Sequence, residues 1–162
     1  MLLLLVRHAH AGDRDPSQWP DDTQRPLSDK GRKTHAKVAR TLRNLELTPE
    51  LLLTSPWLRA MQTAEIMHDV MLLPQPPVPC DALADEPDLA AIAAEAGPRG
   101  ERAVVALVGH SPWMEEIAAL LLTGSDRGVK IDFPKSGVIA MDTPRLAPAA
   151  ASLRFMLRPK ML

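Results

Sequence analysis

Short apolar runs alternate with longer amphipathic stretches along the chain. Residues 2–6, LLLLV, are continuously apolar, as in a parallel strand covered on both faces. Residues 11–27 turn polar, with Asp13, Asp15, Asp21, Asp22 and three prolines, and predict a loop. Ser28 is a good N-cap for a helix over about 29–45, with Val38, Leu42 and Leu45 on its inner stripe. LLLT at 51–54 predicts a second strand, and Ser55-Pro56 opens a helix through roughly Met71. Pro74, Pro76, Pro77 and Pro79 mark a linker, followed by an alanine-rich helix near 87–96. AVVALVG at 103–109 predicts a third buried strand, after which Ser111, as N-cap, and Pro112 start a helix through about Leu122. Residues 137–142 and 152–157 predict two more strands.

Strands alternating with helices define an α/β layered sheet. Ligands of such sheets sit beyond the carboxyl ends of the strands. Arg7 and His8 follow the first strand, Arg59 lies just past the second, and His110 ends the third. Four residues suited to phosphate chemistry thus reach one edge from three separate segments.

Composition narrows the class without changing that picture. At 162 residues, 46% of them apolar, residues 1–162 predict one globular domain with a real core. A formal charge of −1 gives no electrostatic reason to expect nucleic acid or an anionic membrane as partner. The apolar start is too short for a bilayer span, which needs about 20 residues, and lacks the basic region and cleavage site of a leader. Cys80 is the only cysteine, which excludes an internal disulfide and fits a reducing cytoplasm.

The four convergent residues match what phosphoryl transfer asks for, namely positioning and stabilisation of charge on equatorial oxygens. Arginine's planar fork bonds two oxygens and keeps its charge, so Arg7 and Arg59 suit a clamp. Neutral histidine attacks phosphorus, and an ordinary pKa of about 6.5 leaves that form populated near neutrality. His110 suits either holding an oxygen or protonating a leaving group. The helix starts at Pro56 and Pro112 add backbone N–H donors.

Arg7-His8 after the first strand, RPLSDKG at 25–31, SPWLRAMQTAE at 55–65 and VGHSPWM at 108–114 resemble the histidine phosphatase superfamily, in order and across nearly the whole chain. With so short a chain, the resemblance is greatest to its small phosphohistidine phosphatases of the SixA type. It implies a three-layer α/β/α sandwich around a mixed, mostly parallel sheet. It implies that His8 is the nucleophile, forming a phosphohistidine that water hydrolyses, with Arg7, Arg59 and His110 around the phosphate and no metal or other cofactor. Arg25 and Ser111 are further phosphate-binding candidates.

Two departures from the family pattern matter. Ala9 stands where the family usually has glycine. The mutases and sugar-phosphate phosphatases of the family carry a glutamate proton donor in a glycine- and tryptophan-containing motif, and CDALADEPDLA at 80–90 has no such motif. Asp81, Asp85 and Glu86 stand there as candidate donors with none assigned. A phosphorus–nitrogen bond to imidazole is labile and needs a dedicated acid less than a phosphoester does. Hence the expected partner is a phosphorylated protein, a histidine-containing phosphotransfer or phosphocarrier domain. The alternatives are a small phosphoester, such as a sugar or nucleotide phosphate, and a non-catalytic phosphate-binding module.

Other patterns carry less. Gly-His-Ser-Pro-Trp at 109–113 lacks the last glycine of a nucleophile elbow. His8-x-His10 resembles half a metal site, but His35 and His68 lack the spacing to complete it. His10 is expected at the rim of the pocket, and the loop at 11–24 is expected to be solvated.

Overall fold

The structure, a computed structural model, describes residues 1–162. Six strands form one sheet: β1 (Leu2–Arg7), β2 (Leu51–Thr54), β3 (Val78–Pro79), β4 (Val104–Gly109), β5 (Val138–Asp142) and β6 (Ser152–Leu157). Their order is β3-β2-β4-β1-β5-β6. The first four are mutually parallel, β5 runs antiparallel to β1, and β6 runs antiparallel to β5. Four helices cover the faces: α1 (Asp29–Asn44), α2 (Leu58–Met71), α3 (Leu89–Ala96) and α4 (Trp113–Thr123).

The run LLLLV belongs to β1 because alternate side chains feed two separate cores. Leu2, Leu4 and Val6 pack with Val38, Ala39 and Leu42 of α1 and Ala60, Ala64 and Met67 of α2. Leu3 and Leu5 pack on the other face with Ile92 of α3 and Met114, Ile117 and Leu121 of α4. Each such side chain contributes about 1.5–3 kcal/mol through burial, so β1 is pinned from both faces. The result is the three-layer α/β/α sandwich with a mixed, mostly parallel sheet.

Ser28 caps α1 by accepting a hydrogen bond from Gly31 N–H at 3.1 Å. Gly31 is required there for a second reason. A Cβ at this position would lie 2.1 Å from the His10 carbonyl oxygen, so only glycine lets α1 close on the chain leaving β1.

Several boundaries differ from the sequence expectation, each for a local reason. Leu45 is exposed because α1 ends at Asn44, and the buried stripe is Gly31, His35, Val38, Ala39 and Leu42. The α2 helix begins at Leu58 rather than at Pro56, because the chain stays extended through Trp57. The N-cap of α4 is Pro112, not Ser111, whose hydroxyl donates to Glu115 Oε1 at 2.5 Å instead. The proline linker contains β3, an edge strand in which Pro79 loses no ladder bond that the sheet needs.

Candidate active site

Strand register assembles the site. Arg7 is paired with Gly109 and Thr54 with Val108, so β1, β4 and β2 end nearly level. The residues that follow are therefore neighbours: His8, His110 and Ser55. The His8 and His110 rings lie 5.1 Å apart between centroids. His110 Nε2 is 2.8 Å from Ser55 Oγ.

The backbone fixes which nitrogen of His8 is free. His8 Nδ1 donates to the Ala9 carbonyl oxygen at 2.7 Å, and a carbonyl only accepts. The ring proton therefore sits on Nδ1, leaving the Nε2 lone pair for an electrophile. Ala9 in turn donates its N–H to Thr63 Oγ1 at 3.0 Å, and Thr63 Oγ1 donates to the Arg59 carbonyl at 2.7 Å. Ala9 is fully buried and packs with Ala11 and Leu27, so its methyl group is accommodated where glycine is usual.

The field around both rings keeps them neutral. Burial first, then His110, Arg59 and Arg7, push His8 well below the usual histidine range, against the opposing Ala9 hydrogen bond. Burial, then Arg59, pushes His110 down to about 3, with Asp22 opposing.

Arg59, 5% exposed, stacks its guanidinium 4.6 Å from the centre of the Trp57 ring, which itself lies 4.5 Å from His110. Arg59 Nη1 donates to the Asp22 carbonyl at 2.8 Å and meets the Asp22 carboxylate at 3.3 Å. Arg7 Nη1 donates to the Phe133 carbonyl at 2.6 Å. Burial lowers both guanidinium pKa values, opposed by Glu115 and Asp132 at Arg7 and by Asp22 at Arg59. Arg7 Nε, Arg59 Nε and His110 Nδ1 are buried without a hydrogen-bond partner. Each such atom costs about 1–3 kcal/mol, so three in one pocket mark a place built for an acceptor-rich ligand.

The other candidates fall outside this ring of donors. Arg25 donates to the Gly12 carbonyl at 3.0 Å and pairs with Asp22 at 2.8 Å, so it fastens the loop to the pocket. Ser111 is turned to Glu115. Asp81, Asp85 and Glu86 are exposed, while the charges acting on His8 and His110 come from Arg7, Arg25, Arg59 and Asp22. His10 leaves the strand direction, since β1 ends at Arg7, and its Nδ1 lies 2.8 Å from Ser28 Oγ. His35 is fully buried in α1 and His68 pairs with Asp69, so neither joins His8 and His10.

Four supporting residues have no distinct signal in sequence. Ser55, Trp57 and Thr63 lie inside the SPWLRAMQTAE block, where only the arginine has obvious chemistry. Asp22 is one of four loop aspartates; Asp15 and Asp21 bond only to Ser17 and Thr23 nearby, whereas Asp22 grips two arginines.

A buried histidine with a free nitrogen, ringed by arginine and histidine donors at the carboxyl edge of an α/β sheet, defines a phosphatase-type site. The chain belongs to the histidine phosphatase superfamily (branch 1), whose family model matches residues 3–85. It is 38% identical over 146 residues to an uncharacterized protein of Picosynechococcus sp., covering 87% of this chain and 84% of that one. Its fold is similar to that of the protein histidine phosphatase SixA solved with tungstate (TM-score 0.85, 23% identity, 99% of both chains). It is also similar to a phosphoserine phosphatase of Entamoeba histolytica solved with 3-phosphoglyceric acid (TM-score 0.67, 13% identity, 97% of this chain and 96% of that one). No helix is long and apolar enough to cross a membrane.

Proposed function

We propose that this phosphatase hydrolyses phosphohistidine on a protein, a phosphotransfer or phosphocarrier domain, through a phosphoenzyme on His8. The observation that carries the chemistry is the cluster of unpartnered buried donors, Arg7 Nε, Arg59 Nε and His110 Nδ1, beside a histidine whose Nε2 lone pair is free. In the first step His8 Nε2 forms a bond to phosphorus as the substrate's phosphorus–nitrogen bond breaks, and the departing imidazole takes up a proton from solvent water. Arg7 and Arg59 hold the equatorial oxygens. His110 Nε2 lies 2.8 Å from Ser55 Oγ; in the tautomer in which the hydroxyl donates to Nε2, the ring proton is on Nδ1 as a donor to the same group. In the second step water attacks phosphorus, the bond to His8 breaks, and inorganic phosphate leaves.

Two features favour phosphohistidine over a phosphoester. An imidazole leaving group needs little acid assistance, and neither ring is hydrogen-bonded to a carboxylate: His8 Nδ1 bonds the Ala9 carbonyl and His110 Nε2 pairs with Ser55. The pocket also lies at the edge of the sheet without an inserted domain between its elements, as suits a group presented on a protein surface. Resident metal chemistry is not needed for these steps.

Rapid-quench labelling tests this. A phosphohistidine protein and a small phosphoester, each carrying labelled phosphate, are mixed with the enzyme and stopped within milliseconds. The expected result is acid-labile, alkali-stable label on His8, with far faster turnover of the phosphohistidine protein. Turnover without label on His8 overturns the mechanism; faster turnover of the phosphoester overturns the substrate class.

A further inference from the structure

Beside the His8 pocket lies a cleft of about 310 Å³ whose lining includes His10, Lys30, Lys135, Ser136, Arg158 and Lys160, and no carboxylate. Lys30, Lys135 and Lys160 are exposed and belong to none of the ion pairs, while Arg158 is held by Asp132 at 2.8 Å. His10 adds a neutral donor. Gly12 N–H donates to its Nδ1 at 3.2 Å, so the ring proton is on Nε2.

The wall of this cleft is also the back of the phosphate pocket. Ser136 N–H donates to the carbonyls of Arg7 at 3.1 Å and His8 at 3.2 Å, and the Gly137 carbonyl accepts from Arg7 N–H at 3.1 Å. Ser136 sits in the left-handed region, φ 60°, with its buried hydroxyl unpartnered. Such a conformation in a residue with a side chain costs of order 1 kcal/mol or more and is kept where the surroundings impose it. A Cβ on Gly137 would come 2.7 Å from the Pro134 carbonyl oxygen, so the tight return needs glycine. The loop thus carries Lys135 to the rim. Burial first, then Arg7, Arg25 and Arg59, lower the Lys135 pKa, with Asp13 opposing, as fits an ammonium near the arginines of the His8 site.

We propose that this cleft is a second anion subsite, which receives carboxylate side chains flanking the phosphohistidine of the protein substrate. The inference rests on the phosphohistidine reading above. A single phosphoryl group is already served by Arg7, Arg59 and His110, so the further unpaired cations at the rim are free to meet negative charge elsewhere on the same bound molecule. Exposed lysines give a long-range attraction that speeds docking and weakens with salt, as suits a protein surface that arrives and leaves at each turnover.

The test compares wild type with the triple variant Lys30→Gln, Lys135→Gln, Lys160→Gln. The substrates are a phosphohistidine phosphocarrier domain with an acidic surface, phosphoramidate, and propane-1,3-diol bisphosphate. The expected result is a loss of about tenfold or more in the ratio of kcat/KM for the domain over that for phosphoramidate. The loss should lie in KM, with a flatter salt dependence. An unchanged ratio overturns the subsite while leaving the phosphohistidine function standing. A loss confined to the bisphosphate also overturns it, in favour of a small-molecule site. Failure of the wild type itself to dephosphorylate the domain overturns both.

Discussion

His8 and His10 lie on either side of Ala9, and the backbone gives their rings opposite proton assignments. At His8 the Ala9 carbonyl takes the Nδ1 proton and frees Nε2 as a lone pair. At His10 the Gly12 N–H occupies the Nδ1 lone pair and leaves Nε2 as a donor. The first ring is buried among cations and kept neutral; the second stands at a rim beside lysines and is tied to Ser28. In the proposed mechanism, therefore, residue type does not decide which histidine attacks. The hydrogen bond on the opposite nitrogen does, together with the donors placed around the free one.

The largest expected effect tests that contrast directly. His8→Gln should lower kcat on phosphoramidate by about 10⁴-fold, since it removes the nucleophile. His10→Gln keeps a donor at the rim and should lower it less than about tenfold. Steady-state rates on both variants decide it. Comparable losses would mean that the two rings share the chemistry and that the tautomer contrast is irrelevant.

A third histidine sharpens the comparison by having neither role. His35 is fully buried in α1 with both ring nitrogens unpartnered, and burial lowers its pKa to about 4. The unfolded chain takes up that proton near pH 6.5, so between about 6.5 and 4 the unfolded state binds more protons. Stability from this group is therefore full above that range and falls as pH drops through it. The loss should be about 2 kcal/mol between about pH 7.5 and about pH 5. Urea denaturation of wild type and His35→Leu at the two pH values measures it. The loss in the variant should be smaller than in wild type by about that 2 kcal/mol, and what remains belongs to His8 and His110, whose shifts have the same sign. An equal slope in both proteins would place the proton uptake elsewhere.

These histidines also mark how far a sequence alone can be read. Periodicity locates β1, β2 and β4 because buried parallel strands are long unbroken apolar runs, and strand ends then bring Arg7, His8, Arg59 and His110 together. The helix starts are displaced because Trp57 is still extended ahead of α2 and because Ser111, a good cap in isolation, spends its hydroxyl on Glu115. The strand Val78–Pro79 is hidden because two residues at a sheet edge leave no pattern among prolines. Tautomers are invisible in sequence, since they depend on which carbonyl or N–H a loop happens to offer. So is Asp22, whose importance comes from two arginines that reach it from elements 3 and 37 residues away.

Asp22 gives the smallest and most discriminating expected effect. It is a positioning residue: Arg25 bonds its carboxylate at 2.8 Å, and Arg59 meets both its carboxylate and its carbonyl. The Arg25 hydrogen bond first, and the nearby arginine charges, hold the Asp22 carboxyl below the usual carboxylate range, so it stays ionised wherever the enzyme is folded near neutrality. Asp22→Asn removes the charge but keeps the carbonyl bond to Arg59, and the guanidinium should therefore be loosened rather than lost. The expected result is a fall of about tenfold in kcat/KM and a similar weakening of tungstate binding, since both depend on where Arg59 holds the oxyanion. Thermal stability should barely move, because the carboxylate is partly solvent-exposed and its ion pairs are worth little to folding. Asp21→Asn, which loses only a local bond to Thr23, should leave rate and tungstate affinity alone. If both variants behave alike, the loop acts through its general charge; if Asp22→Asn instead lowers the melting temperature in step with activity, the residue holds the loop and not the arginine.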